Sequence, residues 1–416
     1  MSRRFDAHRY ASTIENSNYA SDRQLLYRWT GTHWDIIDDR IGETDAYRWI
    51  VQNDREHASP ENARCAHRAA ILWAKTLPKP CSAIVIPCRN GYVVHEEGMV
   101  KFIPPEPSKG MRHVLNTEYV PGEAVAPRFI AFLSRILPDP AVRARVQEYI
   151  GYTLTADTRH QRAQFWLGSG ANGKGVLANI VQALHGRPET VQLDALDGFR
   201  LSGLIGASLI FCDEAPRGRI NEQLLKSMIA GESIQVDRKY RDPISINVRG
   251  KWLVLGNHLP TITDHSTGFW RRWDIVPFAV TIPERERDPL LAERIREEEL
   301  SGVLSWALEG LNSLARRGAF DSALPSVMQT VLHDAKADTN SVQAWFDESA
   351  IAFDAEHMST KDDVYAHYRN WCERNGLSPM ASPRFWTRLR DIGPVEESRK
   401  RAGGNQVRMC NVSLPR

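Results

Sequence analysis

Short apolar runs at 165–167, 207–212 and 252–255 each end in a polar or glycine-containing turn, with helical patterning between them. Runs of that length fit the buried strands of an α/β sheet. Upstream, 128–137 and 141–154 repeat apolar positions at helical spacing and are joined by Pro138-Asp139-Pro140, which predicts two amphipathic helices. Downstream, the charged, proline-bounded stretch 282–288 precedes a long helical pattern over 289–317, and another follows Pro325. Near the start, 25–29 and 34–37 flank Thr30-Gly31-Thr32 and read as a hairpin with a glycine turn. Helices are expected over 45–51 and 62–75, and a linker at the breaker cluster 103–107. The last sixty or so residues read as helix, helix, then a hairpin around Ala402-Gly403-Gly404-Asn405.

Composition narrows the class. The 416 residues suggest two or three domains, and 42% hydrophobic residues supply real cores, unlike a disordered chain. No stretch approaches the roughly 18 consecutive apolar residues of a membrane span. Residues 1–10 are basic and polar without an apolar h-region, so no signal peptide is expected. Cysteines at 65, 81, 88, 212, 372 and 410 form no C-x-x-C pair, which argues against zinc and disulfide frameworks and for a reducing cytoplasm. Cys212, inside an apolar run, reads as a small core residue. The net charge of +2 decides little, but 380–416 holds eight Lys/Arg against three Asp/Glu, so the chain ends basic.

The chemistry centres on Gly168-Ser169-Gly170-Ala171-Asn172-Gly173-Lys174-Gly175, which matches G-x-x-x-x-G-K between an apolar strand and a helix opening at Val176. Glycines there let backbone N–H groups curl round phosphate oxygens, the helix dipole favours anions, and Lys174 neutralises the β/γ charge of ATP. Four apolar residues then lead into Asp213-Glu214. Asp213 can hold Mg²⁺ or its waters, and Glu214 can orient or deprotonate an attacking water. An acidic pair at a strand end is common surface decoration; paired with the loop it gains meaning. Asn257, in Gly256-Asn257-His258-Leu259-Pro260, either touches the γ-phosphate or caps the turn before Pro260. Arg271 and Arg272, set among aromatics in Gly268-Phe269-Trp270-Arg271-Arg272-Trp273, are either structural or include an arginine finger.

The order of these features resembles superfamily 3 helicases, specifically the phage and plasmid primase-helicase ATPases of the poxvirus-like type. The resemblance rests on Asn172 before Gly173-Lys174, on 226–240, on 256–260, on 268–278 and on Gly302-Val303-Leu304-Ser305-Trp306-Ala307-Leu308-Glu309-Gly310, together about 100–350. It implies an AAA+-type P-loop core, homo-hexamers and travel along single-stranded DNA. By motif position Lys174 would bind phosphates, Asp213 and Glu214 would serve Mg²⁺ and water, and Asn257 would be the sensor. Arg271 or Arg272 would reach the neighbouring subunit's ATP, and Lys239 would grip the DNA backbone from a hairpin tip. That tip, with Arg238, Lys239 and Tyr240 between two strand-like segments, could neutralise phosphate and stack on a base; without the motor motifs it would read as an ordinary solvated turn. The departure is Gly175, where most such loops carry the Ser or Thr that ligates Mg²⁺. The metal must then be held through water and Asp213, or by another oxygen.

The expected fold is α/β: a mixed, mainly helical N-terminal domain (1–110), a helical lead-in (111–160), the ATPase core (161–285), a helical region (286–350) and a C-terminal winged helix (351–416). Asp35, Asp38 and Asp39 do not make a primase carboxylate set, so any primase would be a separate partner. In the winged helix, 361–374 is an early helix and Ser382 caps a second at 383–390. Arg384, Arg388 and nearby Trp386 would give that helix a basic face, and Arg399, Lys400 and Arg401 would lie near the turn of the wing. Such a module lays a helix in a groove of origin duplex DNA or docks a protein. The leading expectation is a replicative helicase of a phage, plasmid or other mobile element. A DNA-binding ATPase initiator or loader is the alternative, and a P-loop ATPase unconnected to DNA stands third.

Overall fold

The computed structural model describes residues 4–415 apart from 15–17, 82–83, 97–98, 123–124, 240, 261, 263, 265, 340, 355, 378 and 403–404; the side chains of 99, 337–339, 401–402 and 405 also lie outside the description. The chain forms two units: Met1–Pro260 with Arg271–Pro325, and Thr261–Trp270 with Ser326–Arg416.

The centre of the first unit is a five-stranded parallel sheet. Its strands are β1 (Ala163–Leu167), β2 (Pro188–Thr190), β3 (Leu209–Cys212), β6 (Lys251–Gly256) and β7 (Trp273–Pro277). An antiparallel hairpin of β4 (Ser233–Arg238) and β5 (Arg241–Asn247) is inserted between β3 and β6 outside this sheet. The sheet order is β7-β1-β6-β3-β2. All of β3 and β6 is buried, which explains why these strands read as unbroken apolar runs rather than alternating ones. Register pairs Gly256 with Leu167 and Val254 with Cys212, so the loops after β1, β3 and β6 leave the same carboxyl edge. Ligands of open α/β sheets bind at that edge.

Helix α1 (Lys174–Leu184) follows β1 and buries Leu177, Ile180, Val181 and Leu184. The two helices expected upstream are present as Pro127–Ile136 and Pro140–Thr153, each opened by a proline at its first position. The downstream pattern resolves into Leu291–Glu298 and Leu300–Arg317, the latter ending at Gly318 in the left-handed conformation.

One expectation is corrected at the N-terminus. The first 110 residues are mixed rather than mainly helical. Helices Asp39–Asn53 and Pro60–Trp73 are accompanied by a four-stranded and a three-stranded sheet. The hairpin Leu26–Trp29/Trp34–Ile37 is as read, with Gly31 at φ +97° in its turn. The missed sheet Ile84–Cys88, Gly91–Glu96, Met99–Ile103 has a Pro and a Cys in its first strand, which weakened its β signal.

In the second unit, helices Lys361–Arg374 and Ser382–Ile392 pack Tyr368, Phe385 and Leu389 around Trp345. Glu397–Ala402 pairs antiparallel with Asn405–Cys410, which also pairs with Ser359–Thr360. Two local expectations change. The second helix starts at Ser382, and Ala381 precedes it with no side-chain cap. Trp386 is buried, with the Lys361 ammonium 4.3 Å above its ring, and does not share an exposed face with Arg384.

Candidate functional site

The run 168–175 forms a tight turn between β1 and α1. Gly170, Ala171 and Gly173 all have positive φ, at 103°, 52° and 81°, the kind of turn in which backbone N–H groups can line an anion-binding concavity. Glycine is required at two positions for space. A Cβ on Gly168 would lie 2.2 Å from Asn172 Nδ2, and one on Gly173 would lie 2.7 Å from Ile136 Cγ2. Asn172 is buried and ties the turn down: its Nδ2 donates to the Phe278 carbonyl at 3.2 Å, and its Oδ1 accepts from Lys174 N at 3.3 Å. Ser169 and Val176 flank these residues at the turn and on the first turn of α1.

Lys174 is buried, and its ammonium donates to three acceptors: the carbonyls of Gly168 and Gly256 (3.0 Å for the latter) and Asn257 Oδ1 at 3.1 Å. Burial lowers its pKa, against the raising effect of Glu214 and Asp213. A cleft of about 350 Å³ is lined by the turn from Gly170 to Val176, by Asp213 and Glu214, and by Leu255, Gly256 and Asn257. Asp213, Glu214 and Asn257 are exposed there. The intervening β6 explains the convergence: lodged between β1 and β3, it brings Asn257 between lysine and carboxylates. The Ala215 N–H donates to the Leu255 carbonyl at 2.8 Å and fixes the turn after the acids. Cys212 is a buried core thiol, its pKa pushed up to about 11 by burial.

Arg271 and Arg272 diverge. Arg271 is exposed and reaches Gln161 Oε1 at 3.4 Å, whereas Arg272 is buried, and its carbonyl accepts from Ala163 N at 2.8 Å. Next to them Asp274, fully buried on β7, takes a two-pronged ion pair from Arg145 (2.7 and 3.0 Å) and a further contact from Arg162 at 3.3 Å. Sequence reading missed this cluster, because Asp274 lies more than a hundred residues from both arginines.

The hairpin β4–β5 carries Arg238 and Lys239; Lys239 is exposed, and Tyr240 lies outside the described residues. Arg238 does not project freely. It pairs with Asp39 Oδ2 at 3.0 Å, and Arg241 pairs with Asp39 at 3.6 Å and with Glu43. His67, buried beneath Asp39, completes the cluster at 3.2 Å, and Gly42 leaves room for its ring. The available signal was the i,i+4 carboxylate pair Asp39/Glu43 on one helix face. In the second unit Arg384, Arg399 and Lys400 are exposed and Arg388 is half-buried, 3.7 Å from Asp391; the Arg401 side chain is outside the description.

A family model described as a family of unknown function, DUF5906, matches residues 166–272, the stretch from the loop to Arg272. Protein 121R of Invertebrate iridescent virus 3, provisionally named a helicase, is 24% identical over 58% of this chain and 29% of its own length. The similarly named 022R of Frog virus 3 is 24% identical over 60% of this chain and 28% of its own length. L207/L206 of Acanthamoeba polyphaga mimivirus, also provisionally named a helicase, is 27% identical over 35% and 16% respectively. The chain thus spans less than a third of these relatives. Among solved structures, the apo C-terminal region of NrS-1 superposes with a TM-score of 0.55 over 99% of this chain and 100% of that one, at 13% identity, a likeness of fold. Among the described residues no helix is long and apolar enough to cross a membrane.

Proposed function

We propose that the chain is the motor of an ATP-driven DNA helicase of the superfamily 3, AAA+ type, working as a homo-hexameric ring on single-stranded DNA during replication of a phage, plasmid or other mobile element. The observation that carries this reading is the single cleft shared by Lys174, Asp213, Glu214 and Asn257. The strand order, with the Asn257 strand between loop strand and acidic strand, supports the AAA+ type, and the viral relatives' names support a helicase.

The residues fit ATP and Mg²⁺. Three positive φ values in the turn cradle an anion, and Lys174 already holds its ammonium at the cleft floor on neutral acceptors that phosphate oxygens can replace. Asp213 would hold Mg²⁺, directly or through water, since Mg²⁺ takes one or two carboxylates together with substrate phosphates. Bound there, the metal would neutralise charge on the transferring phosphoryl group. Glu214 orients the attacking water and accepts its proton. Asn257 shares a hydrogen bond with Lys174, so its side chain responds when that lysine changes partner. Arg271, exposed, suits a finger reaching the next subunit; Arg272, buried, suits a structural role.

Lys239 at the hairpin tip is the proposed grip on the DNA backbone. The second unit, with Arg384 exposed on a helix and Arg399 and Lys400 on a hairpin, supports a winged helix for origin duplex DNA or a partner such as a separate primase. The test is strand displacement with DNA-stimulated ATP turnover, compared with Lys239→Ala. ATP turnover without displacement would replace the helicase by an initiator or loader. Turnover indifferent to single-stranded DNA would sink the DNA motor altogether.

A further inference from the structure

An open groove of about 580 Å³ lies beside the hairpin, between it and helix Pro60–Trp73 of the N-terminal region. Its walls carry four arginines, Arg64 and Arg68 from the helix and Arg238 and Arg241 from the hairpin, together with the ring of Phe199. Phe199 is 58% exposed, on the short turn that opens at Gly198. These residues come from three separate parts of the chain.

The arginines are not equivalent. Arg238 and Arg241 are held by Asp39 and Glu43. Arg64 has only a loose contact with Glu43 at 3.8 Å, and Arg68 has no ion-pair partner among the described residues. The carboxylates of Asp237 and Asp242 border the groove on its hairpin side, which leaves the helix side as the place for an anion. Arg64 and Arg68 stand four residues apart on one exposed helix face, where like charges repel. An anion lying across the pair turns that repulsion into attraction.

We infer that this groove is a subsite for single-stranded DNA, in which Arg64 and Arg68 take backbone phosphates and Phe199 stacks a base, extending the strand's path from the hairpin tip onto the N-terminal region. This rests on the helicase reading above. Paired cations beside a solvent-facing aromatic ring suit a polyanion with flat bases, and such binding needs no sequence readout. A partner protein would have to meet the same face with carboxylates and an apolar pocket.

The experiment is fluorescence anisotropy of a labelled oligothymidylate on the full chain across a salt series. The Arg64→Gln/Arg68→Gln pair should weaken binding about tenfold and flatten the dependence of log affinity on log salt by about 1.4, two phosphates at about 0.7 each. Phe199→Ala should weaken binding about tenfold at unchanged salt slope, with Phe199→Trp restoring it. The Arg64→Lys/Arg68→Lys pair keeps the charges and should keep the slope. Parental affinity in both the arginine pair and Phe199→Ala, with melting temperatures matching the parent, overturns the subsite. If Lys239→Ala alone loses DNA, the subsite falls and the helicase reading stands; if none of the three changes binding, the hairpin reading falls too. Lost ring assembly at unchanged DNA affinity would make this face a contact between copies, which also overturns the proposal.

Discussion

Gly175 is the position where the proposed phosphate loop departs from its pattern, and its surroundings explain why the departure is tolerated. The residue is exposed on the first turn of α1, and a Cβ there would meet nothing within 4 Å. Neither packing nor backbone conformation demands glycine. Gly175→Ser should therefore fold, gaining about 0.5 kcal/mol from helix propensity. Its hydroxyl would stand where other loops supply a metal ligand, so the Mg²⁺ concentration that half-saturates ATP turnover should fall. An unchanged Mg²⁺ requirement would mean that the metal sits with Asp213, beyond the hydroxyl's reach. Gly173 makes the opposite case, since its φ of +81° and its closeness to Ile136 both exclude a side chain. Gly173→Ala should cost about 1–3 kcal/mol in denaturant unfolding and abolish nucleotide binding by fluorescence titration. A glycine-rich motif in a sequence thus hides two kinds of glycine, and only the backbone separates them.

Between elements, Asp274 on β7 is tied to Arg145 on the helix Pro140–Thr153, with Arg162 alongside. Asp274 is fully buried, so removing it strands two cations, one of them wholly within the protein. Asp274→Ala should cost about 3–5 kcal/mol by chemical denaturation. A loss below about 1 kcal/mol would show that the arginines find water instead. This tie was illegible in the sequence, whereas the strands it braces were not. β1, β3 and β6 announce themselves because they are buried almost throughout and carry the unbroken apolar runs 165–167, 209–212 and 252–255. Asn172, Lys174, Asp213, Glu214 and Asn257 were legible for a related reason: each sits within a few residues of such a strand's carboxyl end, so register alone gathers them. The ion pair that holds Arg238 was illegible for the converse reason. The partner Asp39, and the Glu43 that holds neighbouring Arg241, lie about two hundred residues away on a helix that local patterning cannot bring to the hairpin.

At the scale of the whole molecule, buried titratable groups set how the fold responds to pH. Burial holds His113 near 4 and His185 near 3, against an ordinary 6.5. As pH falls from about 6.5 the unfolded chain takes up protons that the folded chain refuses, so stability declines toward pH 4. Lys251, buried with its ammonium on the Thr155 and Arg249 carbonyls, is lowered from 10.5 to about 7. Between pH 7 and 10.5 the unfolded chain again binds more protons, and stability should rise with pH. Lys251→Met should flatten this alkaline limb of a melting-temperature profile and spare the acid limb; an unaltered alkaline limb would exonerate Lys251. The proposed ring is tested at the same scale through Arg271. On that proposal, uniform rings of Arg271→Ala or of Glu214→Gln should each be inactive, the first lacking every proposed finger and the second every proposed water-activating carboxylate. In a head-to-tail ring each interface joins one subunit's carboxylate to its neighbour's arginine. Mixing the two variants equally should then complete about one interface in four, and ATP turnover should reappear in the mixture. The same mixture made with Arg272→Ala should stay inactive, because a buried arginine crosses no boundary and its loss is suffered within its own subunit. Rescue by Arg272→Ala and not by Arg271→Ala would reverse the two roles. Rescue by neither would confine catalysis to single subunits and remove the finger from the mechanism.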